Sequence, residues 1–409
     1  MMRSLFAGVS GLKNHQTRMD VIGNNIANVN TVGFKKSRVT FQDMLSQTLR
    51  GASTPQGNRA GTNPMQVGLG MSLASIDVIH TPGSPQSTGK NTDLSIEGEG
   101  FFMLTSNGND AFYTRAGNFD FDSNKNFYST SNGMLVKGWM ADPVTGVIDT
   151  DADARGINLA ALAFSEPNAT TRAEFAKNLD TRATIGDTFT VPITVYDSKG
   201  DIHVLKVIYE KTADNEWTVD AEIDSLGLHD NVCTLNFNTD GTYLNTVPAT
   251  VSITDPITGA DNLSITLDFS KMTQFAGEYT VSPFSQDGYG PGDLQGISVD
   301  TTGTITGTYS NGQNRELARV AIATFANPAG LMKAGNNLFQ ESNNSGLAQI
   351  GIPGTSDRGI IKPETLEMSN VDLSQEFVDM IITQRGFQAN SRVITTSDQI
   401  LEELVNLRR

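Results

Sequence analysis

The sequence LFAGVSGLKNHQTRMDVIGNNIANVNTVGFK, residues 5–35, decides the fold of this chain. Its apolar residues recur at steps of three or four, with Gln16 as the polar member of the series. The apolar members are Leu5, Val9, Leu12, Met19, Ile22, Ile26 and Val29. This spacing predicts an amphipathic helix, and the asparagines and glycine that follow predict that it ends near residues 26–30. A lone helix cannot bury such a face, so the segment needs a partner.

The partner that the sequence offers is a second helix, predicted for residues 369–409 at the other end of the chain. Its positions at alternating steps of four and three are Leu373, Phe377, Met380, Gln384, Phe387, Ser391, Ile394, Asp398, Leu401 and Val405. This heptad series predicts coiled-coil or bundle packing, with Ser369 or Asn370 as the N-terminal cap. The two helices are predicted to pair and still to leave apolar surface that only neighbouring molecules would cover.

The charge of the chain limits its partners. The 409 residues contain 29 Lys and Arg against 45 Asp and Glu, a formal net charge of −16. Such a balance argues against nucleic acid or an anionic membrane as a partner. No apolar run approaches the roughly 18 residues of a spanning helix, so membrane insertion is not expected. The N-terminus lacks the pattern of a cleaved signal peptide.

Between the two helices the sequence predicts a mainly β, multidomain organisation. Residues 37–70 are rich in Gly, Thr and Asn and are predicted to form an extended connector, with a short helix at 41–49. Residues 71–163 and 285–365 show short apolar bursts separated by turns, which predicts one β-rich core domain. Residues 164–284 alternate apolar and polar side chains repeatedly, which predicts an inserted β sandwich or barrel. Residues 1–36 and 366–409 complete the organisation as a terminal helical domain.

No pattern predicts a catalytic, cofactor or metal site. Residues 120–124 and 149–153 resemble the start of a calcium loop, but both lack the glycine and the glutamate that such a loop requires later. They are predicted to be hairpin turns. The four histidines lie far apart, and no nucleophile, phosphate-loop or zinc motif is present, so an enzyme is not expected.

The single cysteine, Cys233, alternates with Leu235 and Phe237. This phase predicts a small buried side chain on the apolar face of a strand. The alternative, a reactive or crosslinking thiol, stays open.

Both ends of the chain resemble the bacterial flagellar axial proteins. The N-terminal match consists of residues 10–12, 24–28 and 31–35, and its characteristic positions are Asn24, Asn25, Asn28, Gly33 and Phe34. The C-terminal match consists of residues 369–373, 384–390 and 398–401, and includes Gln384, Arg385 and Asn390. Residues 98–102, 303–305 and 336–339 are similar to the rod and hook subgroup of that family.

Within this family the resemblance implies a specific role. Rod subunits are generally shorter, so the inserted residues 164–284 favour a hook subunit, with a distal-rod subunit as the nearest alternative and a secreted β-rich adhesin as a remote one. The resemblance implies a tubular homopolymer that acts as a curved universal joint and transmits torque from rod to filament. Its implied neighbours are the distal rod protein, the hook cap and the hook–filament junction proteins. It also implies type III export through the flagellar apparatus, and it makes Cys233 a candidate for the cysteine–lysine link of some hook proteins.

Overall fold

A computed structural model describes residues 2–55, 57, 60–108, 110–143, 145–223, 228–248, 252–255 and 260–406. The chain is mainly β with one long helix near each end, which confirms the predicted fold class. It divides into two compact units. The first comprises Met1–Ala160, Ser298–Thr306 and Glu316–Arg409, and the second comprises Ala161–Ile297 and Gly307–Arg315.

The terminal helices are α1 (Met2–Ala27) and α2 (Leu373–Asn406). The predicted end of α1 is confirmed. The predicted cap of α2 is wrong, because the Asp372 carboxylate accepts the backbone N–H groups of Ser374 and Gln375. A carboxylate at this position satisfies donors that a helix start otherwise leaves unpaired. The last predicted helical residues, 407–409, lie outside the described part of the chain.

In the residues that the structure describes, twelve strands precede the second unit. They are β1 (Ser37–Asp43), β2 (Ser46–Arg50), β3 (Met65–Gly68), β4 (Met71–Val78), β5 (Pro85–Ser87), β6 (Leu94–Glu97), β7 (Phe101–Thr105), β8 (Phe112–Thr114), β9 (Phe119–Phe121), β10 (Phe127–Ser129), β11 (Leu135–Met140) and β12 (Arg155–Gly156). The first four correct the prediction for residues 37–70. The segment is paired rather than loose, because β1 forms an antiparallel ladder with β4, and β2 with β3. The helix predicted at 41–49 is wrong, since residues 41–43 continue β1 and residues 46–49 belong to β2, and both strands find antiparallel partners.

The two aspartate-rich runs differ from each other. The Asp122 carboxylate accepts the backbone N–H groups of Asn124 and Asn126 and closes the turn between β9 and β10, so this predicted hairpin turn is confirmed. The second run is a bend in which Asp149 accepts the N–H of Asp151, and it lies in the long connection between the antiparallel strands β11 and β12 rather than in a tight hairpin turn.

The second unit is a two-sheet sandwich, as predicted. Its strands are β13 (Phe164–Ser165), β14 (Arg172–Asp180), β15 (Thr188–Tyr196), β16 (Ile202–Ala213), β17 (Glu216–Ile223), β18 (Leu228–Phe237), β19 (Tyr243–Val247), β20 (Ser252–Asp255), β21 (Leu263–Phe275), β22 (Ser282–Gln286) and β23 (Gly292–Val299). Nine of these strands form the sandwich: one sheet has the order β15-β16-β17-β18-β19, and the other has the order β20-β21-β14-β22, whereas β13 and β23 lie outside both. Both sheets contribute to one buried core that includes Phe175, Trp217 and Phe269. The edge strands β15 and β22 contain Pro192 and Pro283.

The second unit continues beyond residue 284, the predicted end of the insert. Strand β13 pairs with β23 through Ser165 and Gly292, and the Tyr309 hydroxyl donates to the Leu162 carbonyl at 2.5 Å. The strands that lead into and out of the unit therefore belong to it.

The remaining strands are β24 (Thr304–Tyr309), β25 (Asn314–Val320), β26 (Ile322–Thr324), β27 (Met332–Gly335), β28 (Leu338–Gln340), β29 (Gln349–Gly351), β30 (Ile360–Pro363) and β31 (Thr365–Glu367). In the first unit, β11, β7, β8, β28 and β27 are consecutive neighbours in a sheet. Their core is aromatic and includes Phe101, Tyr113 and Phe339. The last two strands pair with much earlier ones, β30 with β6 and β31 with β5, so strands close to both chain ends lie in this unit.

Candidate assembly surface

Helices α1 and α2 pack against each other along a line of small and polar residues. A Cβ atom on Gly11 would lie 2.6 Å from Nδ2 of Asn390, and one on Gly8 would lie 3.2 Å from Cγ1 of Ile394. A Cβ on Gly386 would lie 2.8 Å from the His15 ring. The two helices approach this closely only because these three positions lack side chains.

The buried polar residues of α2 lie on the same line. Glu376, Thr383 and Ser397 are buried and stand at heptad spacing, and Asn390 completes their series. Glu376 accepts a hydrogen bond from the buried amide of Asn25, and the Thr383 hydroxyl donates to the Asp379 carbonyl. Small and hydrogen-bonded side chains therefore form the contact line of α2.

The predicted apolar seam coincides with the contact between the helices only in part. Within the two helices, Ile22 is buried, and eight other predicted residues are half-buried beside the contact line: Leu5, Leu12, Met19, Ile26, Met380, Phe387, Ile394 and Leu401. The predicted residues Val9, Leu373, Phe377 and Val405 are exposed instead. Large side chains would hold the backbones apart at Gly8 and Gly11, so the pair turns smaller residues inward.

The outward surface of the helix pair is consequently apolar. Val405 is 70% exposed, Phe6 65%, Ile381 57% and Ile382 55%. Further exposed members are Val9, Leu373, Phe377, Val378, Val393 and Ile400. We call these ten residues the outward apolar face. Exposed apolar surface of this extent on a helix pair indicates an interaction site.

Several of the motif residues fix the base of the helix pair. The Asn25 side chain donates to the Ser37 carbonyl and accepts from the Ser37 N–H at 3.0 Å. Asn370 accepts from the Lys36 N–H at 2.8 Å and donates to the Ile79 carbonyl. Arg18 of α1 and Asp379 of α2 form an ion pair at 3.0 Å. These contacts connect α1, β1 and the approach to α2.

The Gly33–Phe34 motif enters the interior of the first unit. Gly33 has φ +67°, and a Cβ there would lie 2.5 Å from the backbone nitrogen of Ala116, so only glycine fits. Its N–H donates to the Glu367 carbonyl at 2.8 Å. Phe34 is buried, and the Lys333 ammonium lies 5.3 Å from the centre of its ring.

The residue after this motif, Lys35, belongs to a buried ion network that the sequence did not reveal. Its Nζ lies 2.5 Å from Oε1 of Glu367, and Nη1 of Arg115 lies 3.4 Å from Oε2 of the same carboxylate. The exposed fractions of the three side chains are 0% for both cations and 3% for Glu367. Burial lowers the pKa of Lys35 and of Arg115, and the Glu367 charge opposes both shifts. His80 lies in the same environment, where burial and the charges of Lys35, Arg115 and Lys333 lower its pKa to about 4.

Other motif residues play a smaller part. Asn28 donates to the Asn24 carbonyl and accepts from Thr31, which shapes the turn after α1. Gln384 and Arg385 are exposed on α2. Gln384 and Arg385 lie away from the network, and we assign them no role in the pairing of the two helices.

Cys233 lies in the core of the second unit, 2% exposed. Burial, and secondarily the charge of Asp220, raises the pKa of its thiol to about 12. The predicted buried position is confirmed, and this environment disfavours the reactive thiolate.

Two further observations concern metal sites and membrane-spanning helices, which the sequence did not predict. Among the described residues, no group of three or more His, Cys, Asp or Glu side chains could hold a metal ion. No helix in the described ranges is long and apolar enough to cross a membrane.

Comparison with known protein families matches four segments of the chain. Residues 5–35 match the family described as flagella basal body rod protein, and residues 362–407 match the flagellar basal body rod FlgEFG protein C-terminal family. Residues 95–163 match the flagellar hook protein FlgE/F/G D1 domain, and residues 158–289 match the flagellar basal body protein FlaE D2 domain.

Individual relatives agree with these matches. The chain is 45% identical to the flagellar hook protein FlgE of Borreliella burgdorferi over 100% of both chains. It is 34% identical to a Bacillus subtilis protein named flagellar basal-body rod protein FlgG, again over 100% of both. The crystal structure of a Helicobacter pylori flagellar hook protein superposes with a TM-score of 0.50 at 15% identity, covering 70% of this chain and 100% of that one, which supports the fold. The chain belongs to the flagellar hook protein FlgE family.

Proposed function

We propose that this structural subunit assembles into the tubular hook through the outward apolar face of its terminal helices. The tube is a homopolymer that bends as it transmits torque from rod to filament. Its end partners are the distal rod protein, the hook cap and the hook–filament junction proteins. The subunit reaches the extracellular flagellum through the flagellar type III export apparatus, without cleavage of a signal peptide.

The observation that carries this proposal is the exposure of ten large apolar side chains on the helix pair. Ile381 and Ile382 are each more than half exposed although they lie on a long helix that already has a partner. Fully burying an isoleucine side chain is worth roughly 1.5–3 kcal/mol, so covering one that is half exposed contributes roughly half of that. Eight of the ten residues lie on α2, between Leu373 and Val405, and so offer several of these contacts to neighbouring copies.

The geometry of assembly follows from the asymmetry of the subunit. Head-to-tail contacts between different surfaces of identical subunits produce an open helical polymer when they do not close into a ring. The net charge of −16 makes free subunits repel one another, so specific apolar contacts are needed to hold them together.

Electron microscopy of assembled protein tests the proposal. We expect the full-length chain to form tubes and a chain trimmed of residues 1–30 and 370–409 to remain unassembled. A sharper variant is Ile381→Asn with Ile382→Asn, which should abolish tubes while leaving the second unit folded. The matched control is Ile202→Asn, since Ile202 is 65% exposed on a strand of the second unit. Tubes from the trimmed chain would refute the proposal.

One alternative has specific support, because the Bacillus subtilis relative named as a rod protein matches this chain over its full length. In that case the subunit would belong to the distal rod. Immunogold labelling of isolated hook–basal bodies with antibodies to the second unit separates the two. Labelling along the curved hook supports the hook assignment, and labelling confined to the rod supports the alternative.

A further inference from the structure

We propose that Lys35, Glu367 and Arg115 form a latch, an ionic contact that holds segments from both ends of the chain in the first unit. Lys35 is the second cation beside a single carboxylate, and its charge keeps the latch reversible. Lys35 follows α1 in sequence, and Glu367 ends β31, just before α2. Each reaches the same point in the interior of the first unit. The docked position of the two helices therefore depends on a contact between residues from opposite ends of the chain.

The Glu367 carboxylate is the centre of the latch. One oxygen, Oε1, accepts from Lys35 Nζ and from the Gly83 backbone N–H at 2.9 Å, and Oε2 accepts from Arg115. Lys35 also donates to the Thr81 carbonyl at 2.8 Å, and Arg115 donates to the Gly98 carbonyl at 2.8 Å. Removing Glu367 would leave two buried cations without a counter-ion, which is strongly destabilising.

The two cations are not equivalent. Arg115 and Glu367 alone would form a neutral buried pair in the core. Docking of Lys35 adds a positive charge, and Nε of Arg115 has no hydrogen-bond partner among the described residues. The charge of Glu99 also acts on both cations, but Glu99 is exposed and solvent screens it. The insertion of Lys35 is therefore costly, and an apolar residue of similar volume should dock more firmly.

The pH dependence of docking follows from Lys35 and from the charged groups that face it. His80 is neutral above about pH 4, its lowered pKa, and Lys333 on β27 faces the same segment with a pKa lowered by burial. Burial also lowers the pKa of docked Lys35, whereas a released Lys35 has its ordinary value. Between these two values the released state binds more protons, so docking becomes more stable as the pH rises.

Hydrogen exchange on the full-length chain tests the latch. The reporters are the amides of Gly33, Lys36 and Ser37, which donate to Glu367, Asn370 and Asn25. We expect Glu367→Gln to reduce their protection at least tenfold and Lys35→Met to increase it severalfold. Lys35→Met should also restore part of the protection in Glu367→Gln, because it removes one of the two uncompensated charges. Amides of β16 and β17 serve as internal controls for folding.

The pH profile separates a charge effect from simple packing. Protection corrected for intrinsic exchange should increase from pH 7 to pH 10 in the wild type and in Lys333→Met, but stay flat in Lys35→Met. Lys35→Arg, which keeps the charge, should behave like the wild type in protection at pH 7. Loss of protection in Lys35→Met equal to that in Glu367→Gln would overturn the proposal. Absence of protection at Gly33, Lys36 and Ser37 in the wild type would overturn it as well.

Discussion

The sandwich of the second unit and the terminal helix pair of the first place their large apolar side chains differently. The sandwich places its large apolar residues inside, where Trp217, Phe175 and Leu235 are 0% exposed. The helix pair places small and polar residues inside and leaves side chains such as Phe6 and Ile381 in solvent. One region completes its core within a single chain, and the other exposes the apolar surface from which a core could be built.

This difference separates two kinds of stability. Substitutions in the sandwich core should act on the folding of one chain and should not depend on protein concentration. Substitutions on the outward apolar face should act on assembly and should depend strongly on it. The four predictions below test the interior contacts of both regions, beginning with the largest expected effect.

Trp217→Ala should destabilise the second unit by about 3–5 kcal/mol, because it leaves a large cavity in a core that cannot collapse to fill it. Chemical denaturation followed by far-UV circular dichroism measures the change. Ile202→Ala, at an exposed position of the adjacent strand, is the matched control and should change stability by less than about 0.5 kcal/mol. A similar loss in both variants would show that the sandwich is not a tightly packed core.

Gly11→Val should weaken the helix pair by about 1–3 kcal/mol, because its side chain would overlap Asn390. The control is Gly23→Ala, since a Cβ there meets nothing within 4 Å and alanine favours helix by roughly 0.5–1 kcal/mol. Hydrogen exchange of α1 and α2 measures both. Combining Gly11→Val with Asn390→Ala should recover part of the loss. If Gly11→Val protects α1 as well as Gly23→Ala does, close approach at Gly11 is not required.

Asp372→Ala should destabilise α2 by about 1 kcal/mol, since two N–H donors lose their acceptor. Ser369→Ala, at the cap position that the sequence suggested, should have a smaller effect on the same helix. Exchange rates at Ser374 and Gln375 report the difference directly. Equal effects would mean that the carboxylate of Asp372 does not determine where the helix starts.

The smallest effect at neutral pH concerns Cys233. Its thiol should not react with Ellman's reagent at pH 8 in the folded chain, and assembled protein should run as a single monomer band in denaturing electrophoresis. Because burial raises the thiol pKa from 9.0 to about 12, the folded state retains a proton that the unfolded state loses. Stability of the second unit should therefore fall as the pH rises through this interval, and Cys233→Ser should reduce that dependence. A band of linked subunits would instead establish the crosslink.

From the sequence, the buried side chains could be predicted in regions where the hydrophobic pattern and the packing agree. Alternation along strands such as β16 and β17 fixed which residues are inside, because a strand has only two faces. The heptad of α2 was misleading, since a long helix has several faces and hydrophobicity alone does not show which one meets the partner. Gly8 and Gly11 determine which helix faces meet, because they allow close approach there, but a glycine in a helix carries no periodic signal. The network of Lys35, Arg115 and Glu367 was equally hidden, because its members are far apart in sequence and charged residues are usually exposed.

The prolines in β15 and β22 have a consequence for a crowded assembly. Both strands lie at the edges of their sheets, and a proline offers no backbone N–H to a strand from another molecule. In a polymer, many copies of the same sandwich would be held close together for long periods. Pro192 and Pro283 would then prevent the edge strands of neighbouring molecules from pairing. Identical domains could therefore touch and separate repeatedly without forming a continuous, rigid sheet.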